Sequence, residues 1–203
     1  MLGIDPGTLR TGWGVIEKTR RTLTFCAGDV VSVKGFRSLP ERLRLIYEEL
    51  VTVIDRWTPH VLSLEKAFVA HNVQSALRLG EARGVVLLTA AQAGLRIAEY
   101  NPTEIKTAVA GYGRAGKMQV QKAVFSQLRH PDGEAGVFPS SQDATDALAA
   151  AICYCSAARM PDMLRQAGAQ PRRSGGRKAR SLRDVFTEQT VAQMLAADPK
   201  KQR

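Results

Sequence analysis

The sequence predicts an α/β fold, a mixed five-stranded sheet flanked by helices, and three observations carry that prediction. Three short apolar runs, partly β-branched, crowd the first 33 residues with only tight turns between them. Two more such runs follow, each after a stretch of helical periodicity. The remainder, up to about residue 158, is helical in pattern, so helices are left to cover a sheet. At 203 residues the chain suits one domain with an appendage better than two, taking roughly 150 residues per domain as a soft prior.

Residues 2–5, 12–17 and 23–33 read as an antiparallel meander, separated by Pro6-Gly7 and by the basic turn at 18–21. Ser38-Leu-Pro-Glu41 is a capping box: the Ser hydroxyl can take the Glu41 amide proton while the Glu41 carboxylate reaches back to the Ser38 amide. Behind it Leu39, Leu43, Ile46, Leu50, Val53 and Trp57 recur at helical spacing until Pro59. Residues 61–65 form a short apolar run ending on an acid, as a buried strand would. Residues 72–93 are a long helical stretch with Ala76, Gly80 and Gly84 as a small-residue stripe, closed by Gly94. Residues 96–100 make the fifth strand. Asn101 caps a helix with Pro102 at its first position, ending at Gly111. Residues 117–128 are helical, 131–141 a loop and 141–158 an Ala-rich helix.

Composition excludes several classes. The longest apolar run, 85–95, is broken by Thr89, Gln92 and Gly94, far short of the ~18 residues of a membrane span. The first residues lack the basic region and apolar stretch of a signal peptide. Cys26, Cys153 and Cys155 are an odd count without a CxxC, so they read as reduced core residues of a cytoplasmic protein rather than a disulfide or zinc framework. The net charge is +10, and it is unevenly spread: residues 159–203 hold 11 Lys/Arg against 4 Asp/Glu. That segment is rich in Gly, Arg and Ala and reads as a flexible basic tail, with a short amphipathic helix at 182–196. Such a tail attracts polyanions by counterion release, without reading sequence; its plain alternative is a solubilising extension.

The acids separate this chain from a generic α/β domain. Asp5 and Glu65 each end a strand, and Asp143 and Asp146 share a face in the first turn of the last helix. A carboxylate taken out of water must meet a cation or become neutral. Strand-end acids converging on a DxxD helix can hold hard divalent cations through oxygen, and two such ions can activate water at a phosphodiester. Helix-dipole complementation would explain Asp143 and Asp146 alone, but not Asp5 and Glu65.

Several segments resemble the RuvC family of Holliday-junction resolvases. They are Leu2-Gly-Ile-Asp-Pro-Gly-Thr8 with Thr11-Gly-Trp-Gly-Val15, Leu64-Glu-Lys-Ala-Phe68, Asn72 with Ser75-Ala-Leu-Arg-Leu-Gly-Glu-Ala-Arg-Gly84, and Asp143-Ala-Thr-Asp-Ala-Leu-Ala149. In order, they span about residues 1–158. The resemblance implies a ribonuclease-H-like (retroviral-integrase-like) nuclease domain over 1–158. It also implies a homodimeric endonuclease that nicks four-way DNA junctions symmetrically, in recombination and repair. Its catalytic, metal-binding acids would be Asp5, Glu65, Asp143 and Asp146, holding two Mg²⁺ or Mn²⁺ ions for direct attack of water, which leaves ligatable nicks. Phe68 would stack on bases near the crossover, a contact worth roughly 1–3 kcal/mol per base, and Lys106 and Lys117 would contact phosphates. The helix over 72–93 would supply the dimer contact, and coupling to the RuvA–RuvB branch-migration machinery is implied. For Phe68 the plain alternative is a core residue, for the lysines a solvated face, and for the small-residue stripe ordinary close packing.

The chain departs from the family pattern in starting almost inside its first strand, which is then expected to be short or frayed, and in a long loop over 129–142. The tail lies outside the resemblance. Among rivals, Gly111-Tyr-Gly-Arg-Ala-Gly-Lys117 satisfies GxxxxGK, but Met118 stands where a P-loop needs Ser or Thr and no strand precedes it. A sugar-kinase or actin-like ATPase would need a second domain and a second phosphate loop. A YqgF-type ribonuclease shares the opening but not the 75–84 stretch. A catalytically silent junction-binding protein would retain four mutually repelling carboxylates for no gain.

Overall fold

The computed structural model describes residues 1–35, 38–66, 73–130 and 138–157. β1 (Leu2–Asp5), β2 (Arg10–Thr19) and β3 (Thr22–Ser32) form the antiparallel meander, joined by a tight turn in which Arg20 takes a left-handed φ of 54°. β1 is short, four residues, but not frayed: the Ile16 N–H continues the ladder to the Met1 carbonyl at 3.0 Å. α1 (Leu39–Trp57) carries the expected capping box, with Glu41 N–H on Ser38 Oγ (3.4 Å) and Ser38 N–H on Glu41 Oε2 (3.3 Å). β4 (Val61–Glu65), α2 (Val73–Gln92), β5 (Arg96–Tyr100), α3 (Pro102–Ala110), α4 (Lys117–Gln127) and α5 (Gln142–Ala157) follow in the expected order. At α3 the Asn101 side chain makes no cap bond; its N–H is taken by Glu104 Oε2 at 2.6 Å.

The sheet has six strands, one more than expected, in the order β5-β4-β1-β2-β3-β6. The addition, β6 (Leu128–Arg129), is two residues pairing parallel with Leu23 and Thr24. Its leading residue was expected at the end of α4. Two residues are too short to leave a period-2 pattern.

Alternation along the strands divides the core in two. Leu2, Ile4, Trp13, Val15, Leu62 and Leu64 pack with α1 and α2, through Ile46, Leu50, Val53, Val86 and Ala90. On the opposite face α5 runs across β1, β2 and β4, its Leu148 and Ile152 clustering with Ile16, Phe25 and residues of α3 and α4. The α5-facing positions of the inner strands are small. A β-carbon at Gly3 would stand 1.9 Å from the Ala147 carbonyl oxygen, and one at Gly14 would stand 2.5 Å from Leu148. Ser63, fully buried, donates to the Ala150 carbonyl at 2.7 Å. The helix therefore lies closer to the sheet than ordinary side chains would allow. Cys26, Cys153 and Cys155 are free thiols, and no helix among the described residues is long and apolar enough to cross a membrane.

Candidate active site

Period-2 geometry puts Asp5 on the same face as Gly3, and Glu65 on the same face as Ser63, which is the α5 face. β1 and β4 are parallel neighbours, with Ile4 beside Leu64, so the two acids leave adjacent strands at the same end. Asp5 runs into a turn fixed by the buried Thr11 hydroxyl, which donates to the Gly7 carbonyl at 3.2 Å. α5 starts above this end. A β-carbon on Gly12 would lie 2.0 Å from the Asp143 carbonyl oxygen, so the first turn of α5 is seated directly on β2. Asp146, one turn on, comes to the same place.

The four acids form one electrostatic cluster. Burial, then repulsion from Asp146, Glu65 and Asp143, pushes the Asp5 carboxyl up from an ordinary 3.8 to about 7, against a lowering by Lys117. Burial, then Asp146, raises Glu65, with Lys106 opposing. Burial also raises Asp146, opposed by Lys117, Lys106 and a 2.9 Å hydrogen bond from Gln142 Nε2. Lys117, the exposed first residue of α4, and Lys106, half-buried within α3, stand near enough to the acids for their charge to act on them. Phe68 lies outside the described residues, as do Asn72, the tail and residues 131–137 of the loop over 129–142.

Asp143 carries an ion pair. Arg10 Nε donates to its Oδ2 at 2.5 Å, and the same guanidinium reaches Ser141 Oγ at 3.0 Å. Arg10 and Asp143 are 41% and 32% exposed, and a pair so placed is worth at most about 1 kcal/mol, so a divalent cation can displace it. As they stand, no three His, Cys, Asp or Glu side chains among the described residues converge closely enough to grip one ion. The donor chemistry nevertheless fits a hard divalent cation: oxygen ligands only, gathered in a half-buried site, and destabilised by their own unneutralised charge.

The sequence pattern brought out the acids and the family resemblance the lysines, but neither singled out a role for Arg10, Gln142, the glycines under α5, or Arg83. The guanidinium of Arg83 donates to the Glu65 main-chain carbonyl at 2.6 Å and pairs with the Glu99 carboxylate. Only the glycines left a signal, at alternate positions 12 and 14 of one strand.

This sheet order, with the helix α5 laid across its inner strands, defines a ribonuclease-H-like protein. The sequence pattern of the family described as Crossover junction endodeoxyribonuclease RuvC matches residues 1–154. The chain is 46% identical over 159 residues to the crossover junction endodeoxyribonuclease RuvC of Roseiflexus sp. (strain RS-1), covering 78% of this chain and 92% of that protein. It is 42% identical over 165 residues to the protein of that name from Geobacter sulfurreducens, covering 81% and 97%. Among solved structures it is similar to T. thermophilus RuvC in complex with Holliday junction substrate, with a TM-score of 0.69 and 32% identity, covering 78% of this chain and 94% of that one. The chain belongs to the RuvC family of crossover junction endodeoxyribonucleases.

Proposed function

We propose that this chain resolves four-way DNA junctions as a homodimer, by paired nicks that depend on divalent metal. The observation that supports the reading is that Asp5 and Glu65 close adjacent parallel strands at one end, with the first turn of α5, which carries Asp143 and Asp146, seated over β2 there, and that burial raises the Asp5, Glu65 and Asp146 carboxyls. Asp5, Glu65, Asp143 and Asp146 would hold two ions, Mg²⁺ or Mn²⁺. When bound, such ions supply polarisation of the phosphodiester and a lowered pKa for the attacking water.

The chain's own residues do the rest. Lys106 and Lys117 take phosphate oxygens beside the acids and hold the strand in register, as phosphate contacts do. Phe68, three residues beyond Glu65, stacks on a base at the crossover. The basic segment 159–203 adds sequence-independent affinity for DNA.

A two-fold dimer matches the junction's pseudo-symmetry and places one site on each of two strands of like polarity. The outer face of α2 supports this. Val73, Leu77 and Leu88 are 71%, 63% and 56% exposed there, and Gly80 and Gly84 have open space above them. Large exposed apolar side chains beside glycines let a second helix approach closely. The protein would act in the cytoplasm, alongside the RuvA–RuvB machinery that moves the branch point.

The test is a labelled immobile junction and a matched linear duplex, incubated with Mg²⁺, Mn²⁺ or EDTA and run on a denaturing gel. Paired, metal-dependent nicks in the junction alone are expected, and Asp146→Asn should abolish them while junction binding survives. Binding without nicks in any metal would make the protein a silent junction binder. Cleavage of structured RNA in preference to the junction would move it to the ribonuclease reading.

A further inference from the structure

We infer that Arg83 is a positioning residue for Glu65, anchoring the strand end from which that carboxylate is presented. The inference rests on the reading of Glu65 as a metal-holding acid. Glu65 is the last residue of β4: the β1–β4 pairing ends at Ile4 beside Leu64, and the β4–β5 pairing ends at Glu65 beside Tyr100. Past it, the Lys66 N–H still reaches the Tyr100 carbonyl at 2.8 Å. A carboxylate on the last residue of a strand moves with that end unless its backbone is tied down.

Arg83 supplies the tie from α2. Nη1 donates to the Glu65 carbonyl at 2.6 Å, and Nη2 pairs with the Glu99 carboxylate on β5. The side chain is 13% exposed, against 37% for Glu99, so the guanidinium is held inside while its counter-charge stays at the surface. One planar fork therefore joins a helix, the end of β4 and the edge strand. A lysine, with a single compact ammonium, cannot span two acceptors in this way. Arg83 precedes Gly84 on α2 but turns inward from the exposed face, so the helix proposed to meet the second subunit is linked to an active-site acid by one side chain.

The test uses the full chain as Arg83→Gln, Arg83→Lys and Glu99→Gln. Three quantities are measured beside thermal melting: single-turnover junction cleavage, junction affinity in EDTA, and Mn²⁺ affinity of the free protein by direct titration with paramagnetic-resonance readout. Groups that orient metal ligands from behind typically change affinity or activity by 10–100-fold, so Arg83→Gln should lose about ten-fold or more in both rate and Mn²⁺ affinity, with junction affinity unchanged. Arg83→Lys should recover part of the loss, and Glu99→Gln should show a smaller loss in the same direction. Wild-type rate and Mn²⁺ affinity in a folded Arg83→Gln protein would overturn the inference. So would a fall in junction affinity that accounts for the fall in rate, which would make Arg83 a DNA contact. If Arg83→Gln does not fold, Glu99→Gln decides: wild-type values overturn the inference and a parallel loss supports it. Failure of the wild-type protein to nick any junction would sink the proposed function separately, because the Mn²⁺ titration still reads the link from Arg83 to Glu65.

Discussion

Gly12 and Asp143 meet backbone to backbone. A β-carbon at residue 12 would stand 2.0 Å from the Asp143 carbonyl oxygen and 2.2 Å from its carbon. The contact lies where α5 delivers two of its acids to the strand ends, so the closeness of helix to sheet and the closeness of carboxylate to carboxylate have one cause.

Gly12→Ala should therefore act on the site more than on the fold. The obstructing atoms are main chain and cannot rotate aside, so the first turn of α5 must lift. Overpacking of this kind costs about 1–3 kcal/mol. Cleavage should fall well beyond what the lowered melting temperature explains, because Asp143 and Asp146 move away from Asp5 together. Wild-type cleavage in the alanine variant would show that the site tolerates that displacement.

Arg10 predicts an effect of the opposite sign. It neutralises Asp143 through a half-exposed ion pair, so it competes with any cation that carboxylate is to hold. Arg10→Gln should lower the Mg²⁺ concentration at half-maximal cleavage, with little change at saturating metal. A higher requirement would mean that Arg10 serves the substrate phosphate instead.

The two lysines are distinguishable by their neighbours. Lys117 lowers Asp5 and Asp146, whereas Lys106 lowers Glu65 and Asp146. If both lysines contact phosphates as proposed, each Lys→Gln variant should weaken junction binding and reduce its salt dependence. Only Lys117→Gln should move the titration of Asp5, upward from its position near 7. Carboxyl chemical shifts followed against pH would read this directly. An Asp5 titration that moved equally in both variants would contradict the placement.

What could be read from the sequence follows physical range. The α1 capping box, the glycine ends of α2 and α3, and the acids closing β1 and β4 rest on neighbours within a few residues. Such short-range patterns survive in a linear string. That Asp5, Glu65, Asp143 and Asp146 belong together was legible in two acids that end strands and a DxxD pair that opens a helix, with motif order agreeing, and period-2 alternation shows why Asp5 and Glu65 share a face. Arg10 reaches Asp143 across 133 residues and Arg83 reaches the Glu65 carbonyl across 18, through side chains whose targets no local pattern names. β6 is too short to have a pattern, and the close approach that requires glycine at 3, 12 and 14 shows only once α5 is laid over them.

The pH dependence of stability follows from the raised carboxyls, with its sign set by protons held in the folded state. Asp5 binds its proton up to about pH 7 when folded, against an ordinary 3.8, and Glu65 and Asp146 move in the same direction. Between about pH 4 and pH 7 the folded chain therefore holds more protons than the unfolded one, and its stability falls as pH rises through that window. At about 1.4 kcal/mol per pKa unit, Asp5 alone sets a ceiling of about 4 kcal/mol, before relaxation and solvent reduce it. A divalent cation held by these carboxyls would replace those protons, so its stabilising effect should run the other way. Mn²⁺ should raise the melting temperature more at pH 8 than at pH 5.5, because at the lower pH it must displace the Asp5 proton first. Cleavage at limiting metal should likewise rise through neutral pH, with a midpoint that shifts downward as metal is added. Thermal melts at the two pH values, with and without Mn²⁺, decide the matter. An equal shift at both would mean that the buried carboxyls are not where the cation binds.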